Sequence, residues 1–176
     1  MAAALLMSNF QANLRILFNH TTSLTDLVRE LNAKVMASAK GEKFITLFIA
    51  KYNIVTKVLT YVNAGQNPPL LVSDKSVSFL RIGCTGLGMF DELIKVKEGI
   101  VNLENGATLV CYTDGVVEVE NERGEDFGVE RLRDLLVENP EMKMRDFNLL
   151  IKEKLIEHKG TKPYIDDIAL FSCRIR

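Results

Sequence analysis

The sequence predicts an α+β fold: a layered sandwich of mostly antiparallel strands with its helices in separate blocks. Three observations carry this. Helical periodicity is confined to two stretches, residues 2–38 and roughly 129–159. Short apolar, β-rich runs fill the middle. A last strand-like run, Ile168 to Ile175, follows the second helical block. Strands and helices do not alternate along the chain, so a doubly wound parallel sheet is not expected.

Composition sets the outer bounds. With 176 residues, 47% of them hydrophobic, and 26% charged, the chain suits one globular domain, residues 1–176, with a sizeable core. A formal net charge of -1 and no basic stripe argue against a nucleic-acid partner. No run approaches the roughly 20 apolar residues that span a membrane. The opening MAAALLMSNFQANLR has no basic residues before its apolar run, and polar residues follow early, so it reads as a helix and not a signal peptide. Cys84, Cys111 and Cys173 are scattered and odd in number, which fits small buried thiols in a reducing cytosol.

Leu6, Phe10, Leu14 and Leu17 space out a first helix over residues 2–19. Ser23, with Asp26 three positions on, reads as the N-cap of a second. Leu24, Leu27, Val28, Leu31 and Val35 form its stripe, and it ends near Ser38 with Gly41 at its exit. Phe44–Ala50 and Val58–Val62 read as strands joined by a turn near Asn53. NAGQNPPLL, residues 63–71, is expected to be a loop feeding a strand Leu70–Ser73; Asp74-Lys75 connects this to Val77–Leu80. Gly83, Gly86 and Gly88 mark a flexible stretch, and residues 93–103 hold one or two strands. Asn105-Gly106 predicts a hairpin leading into Ala107–Tyr112. Val129, Leu132, Leu135 and Leu136 line a third long helix. Phe147, Leu150, Ile151 and Leu155 line a fourth, closed by His158, Lys159 and Gly160.

The chemistry candidates are two acidic turns at strand ends: Asp114-Gly115 and, 52 positions later, Asp166-Asp167. Carboxylates fixed at a sheet edge suit a hard divalent cation such as Mg²⁺ or Mn²⁺. On spacing alone, the plainer reading comes first: aspartates that cap their own turns. Glu118, Glu120 and Glu122 alternate and are expected on one solvated face. His20 and His158 read as surface groups. No Cys-x5-Arg loop, phosphate-binding loop or nucleophile–base pair is present, so no catalytic residue is identified beyond candidate metal ligands, and no organic cofactor is expected.

Four segments taken together carry a resemblance. AAALLMSNFQANLR, NAGQNPPLL, YTDGVVEVENERGEDFG and DDIALFS occur in the order seen in the metal-dependent protein phosphatases (PPM, type 2C), in the bacterial branch of SpoIIE and RsbU. The resemblance implies an α-β-β-α sandwich with metal at one edge. It implies that Asp114 and Asp166 are metal ligands, with Gly115 giving backbone room near the metal, and that Asp167 binds metal or orients a ligand. It implies Mg²⁺ or Mn²⁺, direct attack of a metal-activated water on phosphorus, and a phosphoserine or phosphothreonine substrate on a bacterial regulatory protein such as an anti-sigma-factor antagonist.

Two departures qualify it. Gln66 stands where the family has histidine, so that loop is expected to serve structure more than proton transfer. The family's GGDYYD-like strand and DVSGHG-like loop have no counterpart, so an N-terminally truncated domain with an incomplete metal site is expected. Asp26, Asp74 and Asp91 are not substitutes. The alternative function is therefore an inactive fragment or protein-interaction module that keeps the fold. Exposed sheet edges would then favour a homodimer.

Overall fold

A computed structural model describes residues 2–21, 23–39, 41–73, 76–103 and 105–175. The expected Asp74-Lys75 connection lies outside the described residues. The chain divides into two compact units: residues 1–66 with 81–102, and residues 67–80 with 103–176. Helices and mostly antiparallel sheets make up both, as the α+β expectation requires.

The first unit opens with α1 (Ala2–His20) and α2 (Leu24–Ala39). The Ser23 hydroxyl accepts the Asp26 N–H at 3.3 Å and caps α2. Asp26 does not reach back to complete a capping box; its carboxylate lies 3.6 Å from Arg29. Leu6, Phe10, Leu24, Leu27, Val28, Leu31 and Val35 are buried in one cluster with Val62, Ala64 and Leu87, so both predicted stripes face the core. The sheet is built on the antiparallel pair β1 (Leu47–Asn53) and β2 (Val58–Ala64). Asn53 Oδ1 accepts the N–H groups of Val55 and Thr56 at 2.9 and 3.0 Å, which fixes the turn between them.

Three expectations are corrected here. The Asn63–Ala64 start of the expected loop is the end of β2, opposite Phe48 and Leu47. Phe44 precedes the strand, and Ile45 forms only an isolated bridge to Leu87. Gly83 is not in a loose segment; with Cys84 it forms a short strand paired in parallel with β2. A further strand, Gly99–Asn102, pairs with β2 at Val58–Tyr61, so residues 93–103 hold one strand.

The second unit has a four-stranded antiparallel sheet. Its two-strand hairpin, Leu70–Ser73 with Ser76–Phe79, joins Thr108–Tyr112, which pairs with Leu170–Arg174. Numbered along the chain, these strands are β3, β4, β7 and β8; the two short strands of the first unit, Gly83–Cys84 and Gly99–Asn102, are β5 and β6. The order is β4-β3-β7-β8. A single helical turn, α3 (Asp114–Val117), follows β7; α4 (Gly128–Glu138) and α5 (Met144–Lys159) come next. Val110, Tyr112, Leu132, Leu136, Phe147, Ile151 and Leu155 form the buried cluster between sheet and helices.

Asn105-Gly106 makes a tight turn, with Gly106 at φ +89°, but no hairpin. β6 pairs with β2, whereas β7 pairs with β3 and β8; the Gly106 N–H goes to the Ile175 carbonyl at 2.8 Å. The dipeptide sets the local bend and leaves strand partnership to tertiary packing.

Candidate metal centre

The acidic turns are joined by one threonine. β7 ends at Tyr112, and Thr113 stands before α3 in extended conformation. The Thr113 N–H donates to the Ala169 carbonyl at 3.1 Å. Its hydroxyl donates to the Asp167 carbonyl at 3.0 Å and accepts the Ala169 N–H at 3.0 Å. This hydroxyl is therefore spent across the sheet and not on α3, which has no side-chain cap. The next residue but one continues the contact. Gly115 is buried, and a Cβ there would overlap the Asp167 carbonyl oxygen. Only glycine lets these backbones meet.

The consequence is that Asp114 and Asp166-Asp167, remote in sequence, are held at one edge of the second unit. All three side chains are exposed. Asp114 Oδ1 accepts the Gly115 N–H at 3.0 Å, and Asp166 Oδ1 accepts the Asp167 N–H at 2.7 Å. Each of these two carboxylates is thus oriented by the amide that follows it, while its second oxygen lies outside that bond. The turn-capping role and ligand geometry are compatible, because a carboxylate has several acceptor positions. Asp167 enters through its main chain, by carrying the Thr113 contact.

A cavity of about 290 Å³ borders the site, lined by Gly115, Glu118, Glu120, Asp126, Ile165 and Asp166. Glu118 and Glu122 are exposed, as expected of a solvated face, and Glu120 is half-buried. Glu120 bonds Lys162 at 2.7 Å and bridges to Asp126, and Glu122 accepts the Thr161 hydroxyl at 2.9 Å. Glu120 and Glu122 thereby clasp the turn after α5, and the chain reverses between Asn121 and Glu125. His158 lies half-buried against Phe127, with ring centroids 5.4 Å apart, and its Nε2 meets the Glu125 carbonyl.

Hard oxygen donors at an exposed edge fit a divalent cation in kind. They do not fit it in number: among the described residues, no group of three His, Cys, Asp or Glu is placed to hold a metal. Asp26 and Asp91 belong to the first unit; the Asp26 carboxylate lies 3.6 Å from Arg29, and the Asp91 carbonyl accepts from the Asn32 side chain. Gln66 is in the first unit. Its amide N–H donates to Asn63 Oδ1 at 2.9 Å, and its Oε1 accepts the Thr46 hydroxyl at 2.8 Å, which is the structural use expected of it.

Sequence reasoning missed Thr113. The available clue was its place before Asp-Gly at the end of a strand, which does not say what distant segment its hydroxyl meets. It also missed Asn32, buried at 2% exposure, whose amide binds the Phe90 and Asp91 carbonyls and accepts the Gly88 N–H.

The family model described as Stage II sporulation protein E (SpoIIE) matches residues 1–176. The chain belongs to the SpoIIE family. It is 26% identical over 199 aligned residues to Protein IcfG of Synechocystis, covering 97% of this chain and 31% of that protein. It is 31% identical over 101 residues to the phosphoserine phosphatase RsbU of Bacillus subtilis, covering 57% of this chain and 30% of RsbU. The chain thus spans about a third of the length of these curated relatives. The PP2C domain of SiaA from Pseudomonas aeruginosa superposes with a TM-score of 0.85 at 20% identity, over 98% of this chain and 70% of that one. The fold is that of the PP2C phosphatase domains. No described helix is long and apolar enough to cross a membrane.

Proposed function

We propose that this chain forms part of a single metal-dependent phosphoprotein phosphatase domain. It would remove phosphate from a phosphoserine or phosphothreonine on a bacterial regulatory protein in the cytoplasm, such as an anti-sigma-factor antagonist. The observation that carries the reading is the clasp that brings Asp114 and Asp166-Asp167 together across β7 and β8. The full-length family match supports treating both compact units as one domain.

In this reading Asp114 and Asp166 contribute carboxylate oxygens to Mg²⁺ or Mn²⁺, each aimed by its neighbouring amide. Asp167 fixes the loop, and its own carboxylate orients a ligand or water. The bound metal would supply an activated water and charge neutralisation at phosphorus. Gly115 permits the approach, and Thr113 holds the register. Further oxygen ligands are needed to complete the centre. The second reading taken from the sequence, an interaction module that keeps the fold with a partial site, has behind it only that no group of three His, Cys, Asp or Glu among the described residues is placed to hold a metal; the match to a phosphoserine phosphatase does not favour it.

Phosphate release from a phosphoserine protein with Mn²⁺ tests both. The chain and any longer gene product containing it are assayed side by side. Turnover is expected from the longer product and should fall by about a hundredfold or more in Asp114→Asn. No Mn²⁺-dependent turnover by either protein would overturn the phosphatase reading. Turnover by the chain alone would remove the module reading.

A further inference from the structure

We propose that Lys162 and Glu120 are positioning residues for the acidic corner: their ion pair pins the segment that delivers Asp166 against the segment that leaves Asp114. The proposal rests on the phosphatase reading for its purpose, and on contacts that need no metal for its geometry. The Thr113 clasp holds the acidic loop on its downstream side, at Asp167 and Ala169. The approach to Asp166 needs a hold of its own.

Residues 160–165 belong to neither helix nor strand. Gly160, at φ +56°, turns the chain out of α5, and the Lys162 N–H donates to the Lys159 carbonyl at 3.1 Å. Pro163 has no N–H to give. Side chains hold this stretch instead. Lys162 Nζ donates to Glu120 Oε2 at 2.7 Å, and the Thr161 hydroxyl donates to Glu122 Oε1 at 2.9 Å. Lys159 Nζ donates to the Lys162 carbonyl at 2.8 Å and stands 5.2 Å from the Tyr164 ring centroid, so Lys162 is gripped by its main chain as well. Glu120 sits on the rigid side of the contact. It forms an isolated bridge with Asp126. The Phe127 N–H donates to the Val119 carbonyl at 2.8 Å, and the Asn121 N–H to the Glu125 carbonyl at 2.9 Å. Asn121 Oδ1 accepts the Arg123 and Glu125 N–H groups at 2.9 and 3.0 Å and closes the turn. A loose approach is thus fastened to a braced loop, shortly after Asp114 and shortly before Asp166.

The cavity of about 290 Å³ beside the corner takes walls from both segments, Glu118 and Glu120 from one and Ile165 and Asp166 from the other, so their separation sets its width. The pair also differs in reach from its counterparts elsewhere. Arg29–Asp26 and Lys154–Glu157 each lie within one helical turn and Arg133 is adjacent to Asp134, whereas Lys162–Glu120 spans 42 positions. With its side chains 33% and 39% exposed, the pair contributes little to global stability. Its effect is local: it fixes where Asp166 stands when a cation arrives. Groups that orient ligands in this way tune metal affinity without touching the metal.

Lys162→Met keeps the aliphatic stem and removes the charge. Hydrogen exchange of the metal-free protein, read at single-residue resolution, should then show the Asp167 and Ala169 amides exchanging about tenfold faster, with the β2 amides unmoved. Mn²⁺ affinity of the longer gene product, measured by calorimetry, should fall about tenfold, and the Mn²⁺ concentration for half-maximal turnover should rise more than kcat falls. Glu120→Gln should act in the same direction. Lys162→Arg, or the reversed pair Glu120→Lys with Lys162→Glu, should recover the protection. Unchanged exchange at Asp167 and Ala169 in Lys162→Met would overturn the proposal. So would equal acceleration in β2, which marks a general loss of stability, or protection recovered by neither charge-keeping variant. A parent protein that binds no Mn²⁺ and turns nothing over would instead overturn the phosphatase reading, and the exchange of these two amides would still decide the brace.

Discussion

The ends of β2 and β7 are built alike and finished in opposite ways. At each, a glycine just past the strand meets another stretch of main chain: Gly65 against Gly86, where an added Cβ would lie 2.9 Å from the amide nitrogen, and Gly115 against Asp167. After β2, the polar groups are bound to one another. Asn63 is buried at 4% exposure and accepts from Gln66, and Gln66 accepts from Thr46. After β7, the carboxylates of Asp114 and Asp166 are exposed, each held by one short-range bond to the following amide. The first junction has its acceptors engaged internally and serves to hold a loop. The second is held by glycine and threonine, and on the reading proposed above its exposed carboxylates serve a ligand. The difference shows how a fold can separate the residues that position a site from those that bind.

The strongest way to break this comparison is at Gly115. Gly115→Ala places a methyl group on the Asp167 carbonyl, backbone against backbone, with no flexible side chain to give way. A loss of about 2–4 kcal/mol is expected from urea unfolding. A variant within about 0.5 kcal/mol of the parent would show that the two segments are not in the contact described.

A matched pair of substitutions sharpens it. Thr113→Val removes the hydroxyl that both gives to Asp167 and receives from Ala169, and about 1–2 kcal/mol should be lost. Asn63→Ala strips the Gln66 amide of its acceptor at a similar cost. The two should part in Mn²⁺-dependent activity of the full-length protein, measured at a temperature where both stay folded. Thr113→Val should lower kcat, and Asn63→Ala should leave it near the parent value. Equal losses would dissolve the distinction between holding and binding junctions.

The smallest effect concerns Cys111, on β7 just before the clasp. Burial, with a lesser contribution from Cys173, pushes its thiol up from 9.0 to about 11. A raised folded value means that the unfolded chain loses this proton first. The contribution is therefore intact below pH 9 and is lost as pH rises towards 11. Cys111→Ser should flatten the alkaline decline in stability over that window. An unchanged slope would assign the decline to other groups.

Much of this was legible in the sequence. The first two helices fall within a residue or two of the expected bounds and the later two carry the expected stripes, because a 3.6-residue apolar period is a local property. The acidic turns were legible as a pattern, since aspartate beside glycine at a strand end has few uses. What could not be read was which distant segment each turn would meet. Asn105-Gly106 bends the chain as its chemistry dictates, yet β6 and β7 pair elsewhere. Glu120 and Glu122 face Lys162 and Thr161, about 40 positions away, so strand periodicity gave no notice of them. Thr113 went unread because its partners lie 54 and 56 positions on.

That separation bears on the order in which the molecule assembles. Closing a loop of this length costs about 3–4 kcal/mol of chain entropy before any contact is gained. β7, α3, α4 and α5 can begin to associate through contacts closer in sequence, but the acidic corner cannot exist until residues 166–174 have docked against β7. On loop-closure grounds alone, the paired carboxylate geometry is expected among the last contacts of the second unit to form. Cation-binding capacity, where the protein has it, would arrive late and all at once.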